Sequence, residues 1–275
     1  GRWPFDMLSR RLGRAGYFDL EHIGEDLVTL GLLPRPWNQV ELNPFDIFGY
    51  YDVEHWDPRS WRPGYPNPAF ENMDYGDALW AVRIIARIEP SHLAAIVRTA
   101  RLPDPRQEAF LLRRMVERRQ KILNLYLSRG ASLDRFTVER RGPPPGSPHL
   151  CFEDLALRYG ALPAETNPWY KLRFTGGAEL EQDLGWMQLT PVPSPRGRSC
   201  VLLPLGYRRP ADLVEPEAPD DEPRRYGVLD IFEHQRAEVR PTSQTRLHMY
   251  DLGPERGFVL VGIERPPEPN PPPGY

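Results

Sequence analysis

Asp52, Glu54, His55 and Asp57 place four potential metal ligands within six residues, in the run DVEHWD. Carboxylate oxygens suit a hard cation, and an imidazole among them widens the choice to a transition metal. The spacing matches neither a calcium-binding EF-hand loop nor a zinc-binding HExxH pair. The run therefore reads first as an acidic, solvated loop, with a metal site as the sharper alternative. No cofactor is expected.

The same stretch is rich in aromatics. Trp37, Tyr50, Tyr51, Trp56, Trp61 and Tyr65 alternate with acids and prolines. Such faces offer apolar area with a polar handle, as a carbohydrate or partner surface does. Proline-flanked aromatics more often pin an irregular segment to a core, and that reading is preferred. A third group is the basic run RRMVERRQK, with Arg113, Arg114, Arg118, Arg119 and Lys121 around a single acid, Glu117. It suits a phosphate or an acidic partner, yet on a helix it wraps most of the circumference, as a solvated face does. Arg119 is the member expected to be buried in a pair.

Ordinary catalytic patterns are missing. The six histidines are scattered. Glu233–His234 and His248 could approach each other across strands. Ser194, Ser199 and Ser243 stand in no nucleophile elbow. Thr175-Gly176-Gly177 reads as a turn rather than a phosphate loop. A triad assembled from distant residues stays open, since triads are recognised by geometry.

The elements that hold these groups begin with two helical pieces over 5–31, FDMLSRRL and FDLEHIGEDLVTLGLL. In the second, Leu20, Ile23, Leu27 and Leu30 fall at helical spacing, with Gly31 and Pro34 as stops. Residues 33–70 follow as a strap without period. Pro44, Pro58, Pro63, Pro66 and Pro68 exclude a regular helix there. From Asn72 to Gly130 the chain is helical. Asp74 caps YGDALWAVRIIARI, Ser91 caps HLAAIVRTARL, and Asp104-Pro105 opens a long helix through PRQEAFLLRRMVERRQKILNLYLSR.

RRGPPPGSP, residues 140–148, reads as a linker, and CFEDLALRYGAL after it as a short helix. Six strand-like runs follow: WYKLRFTG, GWMQLTPV, SCVLLPLGY, YGVLDIFEH, TRLHMYDL and GFVLVGIER. An acidic proline loop interrupts them at 210–223, and PPEPNPPPGY reads as an exposed polyproline tail.

Composition sets the outer limits. Hydrophobic residues make up 40% and charged residues 27%, the balance of a folded, soluble globular protein. The 33 prolines are about double ordinary usage, so much of the chain runs extended or in turns. The net charge of −3 speaks against nucleic-acid binding. Lysine occurs only at 121 and 171. No apolar run is long enough to span a membrane. Cys151 and Cys200 can pair in an oxidising compartment or remain thiols. No signal peptide is legible. The chain begins at Gly1 rather than Met, as expected of a trimmed or processed start.

One set of blocks has a wider likeness. PRPW at 34–37, YPNPAFENM at 65–73, DALWAVRIIAR at 77–87, VERRQKI at 116–122 and GFVLVGIERP at 257–266 resemble the carboxy-terminal part of a bacterial family of uncharacterised, hypothetical proteins. The likeness runs over most of 25–268 and departs from the family pattern at Gln120, where an acid is usual. In fuller members the preceding region looks like a distant protein-kinase lobe and is often exported. The resemblance therefore implies an extracytoplasmic place, periplasmic or secreted. This chain itself has no glycine-rich loop, HRD or DFG pattern.

The expected fold is α+β: a helical half at 1–139 carrying the irregular 33–70 segment, a β-rich domain at 149–268 of sandwich or small-barrel form, and an extended tail at 269–275. The expected function is a non-catalytic interaction or structural subunit of a larger assembly. Its partners would be other protein subunits, with membrane association only through a partner. The alternatives are an enzyme or ligand-binding protein of the kinase-like family, using Asp52, Glu54, His55 and Arg119, and a carbohydrate-binding module centred on Trp37, Trp56 and Trp61.

Overall fold

The computed structural model describes residues 20–33, 44–48, 51–54, 56–60, 67–129, 131–141, 146–163, 169–176, 180–188, 198–203, 226–234 and 243–265. The FDMLSRRL segment, the 210–223 loop and the 269–275 tail lie outside them. The chain forms two compact units, residues 1–122 and 123–273.

In the first unit each helix begins where its local chemistry dictates. Helix α1, Leu20–Thr29, ends at Gly31, whose φ of 72° suits only glycine well and whose N–H donates to the Asp26 carbonyl at 2.9 Å. Asn67 opens the short α2, Pro68–Glu71, by accepting from the Ala69 N–H. Helix α3, Tyr75–Arg87, starts on a reciprocal box in which Asp74 accepts from the Asp77 N–H and Asp77 from the Asp74 N–H.

Helix α4, Pro90–Thr99, starts one residue before the expected Ser91 cap, because Pro90 takes the first helical position and Glu89 the cap. Helix α5 runs from Pro105 to Leu127, and the Asp104 carboxylate accepts from the Arg106 N–H at 2.8 Å. Tyr75, Leu79, Val82 and Ala86 of α3 are buried at helical spacing, as are Leu93 and Val97 of α4.

The second unit holds two open antiparallel sheets. Strands β1 (Leu133–Arg141), β2 (Ser147–Asp154) and β5 (Arg198–Leu202) form one, in that order. The other contains β3 (Trp169–Gly176), β4 (Leu180–Gln188), β6 (Tyr226–His234), β7 (Ser243–Asp251) and β8 (Phe258–Glu264), in the order β4-β3-β6-β7-β8. Short helices α6, Leu155–Arg158, and α7, Gly253–Arg256, follow β2 and β7.

The α+β expectation holds, helical first and strand-rich later. The small-barrel form does not, because β4 and β8 lie at opposite edges of their sheet and stay unjoined. Alternate residues Tyr170, Leu172 and Phe174, with Leu229, Ile231 and Leu247, share one core with Phe136, Leu150 and Phe152 of the smaller sheet. Each such side chain contributes about 1.5–3 kcal/mol on leaving water.

Two segments differ from their sequence reading. The strand-rich region begins at Leu133 rather than 149, and the supposed linker joins a hairpin in which Arg141 faces Ser147. CFED completes β2, leaving only Leu155–Arg158 helical, with Asp154 as its cap. Cys151 and Cys200 sit directly opposite in β2 and β5 and are disulfide-bonded.

Candidate interaction surface

The residues singled out from sequence fall at two stations along α5. At the first, Phe45 and Phe48 of the strap pack on Phe110, with ring centroids 5.5 and 5.7 Å away. The guanidinium of Arg114 lies 5.2 Å from the same ring and pairs with Glu117 at 3.2 Å. Arg113 is exposed, 5.9 Å from Phe110.

About two turns further on, Arg118 lies between two strap aromatics, 4.2 Å from the Tyr51 ring and 4.8 Å from the Trp56 ring. Its Nε donates to the Asp52 carbonyl at 2.8 Å. Burial draws its pKa down, opposed by Tyr51 and Asp52, though an arginine stays charged throughout the ordinary pH range. One turn on, Lys121 Nζ donates to three strap carbonyls, those of Val53, Glu54 and Trp56, and so uses all three of its protons. On another side of α5, Arg119 is buried and donates to the carbonyls of Ile85 and Ala86 at the end of α3.

The structure therefore brings Tyr51, Trp56 and Arg118 together, and it does so by packing. Asp52 accepts from the Glu54 N–H and Asp57 from the Arg59 N–H, so both carboxylates brace their own turns. Glu54 is exposed. Among the described residues no three His, Cys, Asp or Glu side chains converge as a metal set. Trp37, Tyr50, His55, Trp61 and Tyr65 lie outside the described residues.

Exposed apolar faces are the feature that motif reading passed over. Helix α3 buries one side and presents Trp80 and Ile84 on the other, with Ile88 exposed at its C-cap and Trp80 66% exposed. The signal was in the sequence: YGDALWAVRIIAR carries large apolar residues all round, more than one buried face requires. On helix α1 Ile23 is 39%, Leu27 75% and, just beyond the helix, Leu30 85% exposed, so these three residues of the stripe read from its spacing are uncovered.

In the second unit the notable cluster is buried. The Ser132 hydroxyl lies 2.8 Å from Asp154 Oδ1 and 2.8 Å from Glu233 Oε1, and its N–H donates to Glu233 Oε2 at 3.2 Å. Tyr170 donates to Asp154 Oδ2 at 3.1 Å, and Asp154 also caps α6. A hydroxyl carries one proton, so both 2.8 Å contacts are hydrogen bonds only when one of the two carboxyls is protonated. Burial pushes Asp154 upward against its four donors, and raises Tyr170 so that it remains a donor. Ser132 and Asp154 belong to the smaller sheet's strands and their approach, Tyr170 and Glu233 to the larger sheet, so the cluster joins the two.

Glu233 and His248 do not meet. Glu233 faces Ser243, whereas His248 faces Val228. His248 instead bonds Tyr226 through Nδ1 and lies 3.4 Å from Glu264. Gly262 lies opposite, and a Cβ there would make ordinary contact with the ring at 3.4 Å.

Comparison of the chain with family models, curated proteins and solved structures finds no match.

Proposed function

We propose that this chain is a non-catalytic interaction subunit of a larger protein assembly. The observation that carries this reading is the two-sided helix α3, buried through Leu79 and Val82 and open to solvent through Trp80, Ile84 and the C-cap Ile88. A tryptophan heading an exposed apolar stripe is the usual anchor of a protein contact. The grip of Arg118 and Lys121 on the strap supports a scaffold role, because those cations serve the fold rather than a ligand.

A pocket using Asp52, Glu54, His55 and Arg119 is less favoured, since Arg119 donates to helix-end carbonyls and Asp52 braces a turn. The Cys151–Cys200 bond supports an oxidising, extracytoplasmic compartment, in line with the family resemblance. Among the described residues no helix is long and apolar enough to cross a membrane, so membrane association would run through a partner.

Native purification from the source, followed by the mass of the intact particle, tests this. A mass well above 31.8 kDa with other polypeptides, lost on Trp80→Glu, is expected. A lone monomer unaffected by that change would sink the reading.

A further inference from the structure

We infer that Arg198 is a lid over the Cys151–Cys200 bond, held shut by Glu139, and that the bond opens to a dithiol through Cys200. This redox element of the smaller sheet is separate from the subunit reading and stands or falls without it.

Alternation puts the bond on the outer face of that sheet. Leu150 and Phe152 enter the core, so Cys151 between them points the other way. Thr137 of β1 and Cys200 of β5 stand directly opposite it on the two neighbouring strands. Cys151 is nonetheless 0% exposed, whereas Cys200 is half-buried. One cysteine is covered where its partner is not.

The ion pairs show what crosses it. Arg198 of β5 stands opposite Glu153 of β2, the ordinary place for a cross-strand pair. Glu153 is held instead by Arg135, at 3.2 Å, and by Arg158. Arg198 reaches past β2 to β1, where Nη2 donates to Thr137 Oγ1 at 3.2 Å and pairs with Glu139. Neighbouring strands lie about 4.8 Å apart, so β1 and β5 are about 10 Å apart with β2 between them. Thr137 shares a row with Cys151, and Glu139 lies one outward position beyond, so the arginine crosses β2 beside Cys151. The Thr137 hydroxyl also donates to Glu139 at 3.1 Å and braces the anchor.

Thiol–disulfide exchange begins with a thiolate attacking one sulfur, and access decides which. One thiolate of the dithiol bonds to Cys200 Sγ as the Cys151–Cys200 bond breaks, and the electron pair leaves on Cys151, which takes a proton. The second thiol of the reagent then displaces Cys200. The reagent ends as a disulfide and the chain as two thiols, with β5 held to β2 by its five residue pairs alone.

Two single-cysteine chains, Cys151→Ala and Cys200→Ala, test the lid with the neutral disulfide dithiodipyridine, and circular dichroism shows whether each is folded. Cys200 should react at least about tenfold faster than Cys151. Glu139→Ala added to the Cys200→Ala chain should close most of that gap. Arg141→Ala removes the other partner of Glu139 without touching the crossing, and should leave the rate unchanged. In the chain with its bond intact, Glu139→Ala and Arg198→Ala should both speed reduction by dithiothreitol. Glutathione adducts quenched in acid and mapped by mass should sit on Cys200.

Equal rates for the two cysteines overturn the inference, as do adducts on Cys151 or a Cys151 indifferent to Glu139→Ala. Reduction that climbs in step with unfolding as urea is added also overturns it, because the bond would then open only with the whole fold. Where a single-cysteine chain does not fold, the intact bond decides: a dithiothreitol rate unmoved by both Glu139→Ala and Arg198→Ala sinks the lid.

Discussion

Arg119 Nη2 donates to the Ala86 carbonyl at 2.9 Å, while Nε reaches that of Ile85 at 3.3 Å. Both oxygens belong to the last turn of α3, at the negative end of its dipole, and that of Ile85 also accepts the Ile88 N–H at 3.0 Å. A cation from α5 thus closes a helix of another segment. Arg119→Met keeps the apolar stem and removes the donors, and should cost about 1–3 kcal/mol in urea unfolding. An unchanged midpoint would show that water replaces the guanidinium.

Arg118 and Lys121 hold the strap by different means, and the two can be separated. Arg118→Lys retains the charge and loses the planar stack on Tyr51 and Trp56, with an expected loss of about 0.5–2 kcal/mol. Lys121→Met releases the Val53, Glu54 and Trp56 carbonyls. Backbone amide exchange over 51–57 should then accelerate while that of α3 and α4 stays constant. Equal acceleration throughout the unit would mean that the strap and the helices open together.

The elements that sequence revealed are those whose pattern is local. Strands β3 and β6 match WYKLRFTG and YGVLDIFEH residue for residue, because both alternate and the first is flanked by Pro168 and Gly177. Strand β1 was hidden by a bulge between Asp134 and Thr137. Arg135 there has φ 55°, which places Leu133 and Phe136 three apart on one face and breaks the period of two. The prolines within 140–148 suggest a linker, whereas the strands on either side pair as β1 and β2. Arg118, Tyr51 and Trp56 each carry a local signal, but their meeting spans more than 60 residues of chain, which no spacing rule covers. Ser132 and Glu233, 101 residues apart, left no local trace.

Gly227 faces the ring of Phe174 so closely that an added Cβ would lie 2.5 Å from the ring's tip. Phe174 is buried in the core and has little room to move. Gly227→Ala should therefore destabilise by about 1–3 kcal/mol through overpacking. Adding Phe174→Leu should recover part of that loss, so the pair would be strongly non-additive. Additive losses would place the strain in the backbone instead.

The Cys151–Cys200 bond closes a loop across β2 and β5 with a separation of 49 residues. Cys151→Ala with Cys200→Ala should lower stability by about 2–4 kcal/mol, mostly by freeing the unfolded chain. Reductant should shift the wild-type urea midpoint by a similar amount and leave the double variant unmoved. A double variant that still responds to reductant would exclude this bond as the cause.

Asp154 and Glu233 meet through one hydroxyl proton, and that shortage makes the join between the sheets sensitive to pH. Burial raises Asp154 in the folded state, so the folded chain binds more protons than the unfolded one above the ordinary carboxyl value of about 3.9. Stability from this site is complete below that value and declines as pH rises through the folded pKa. One proton sets the limit at about 1.4 kcal/mol per pH unit. Asn at 154 keeps an acceptor for the Ala156 N–H and cannot titrate. In urea unfolding at a series of pH values, the stability of wild type minus Asp154→Asn should therefore fall from pH 4 upward. The slope belongs to the carboxyl pair, so Glu233→Gln should reduce it too. A difference that rises with pH would mean that both carboxylates are ionised in the fold, with the Ser132 hydroxyl bonded to only one.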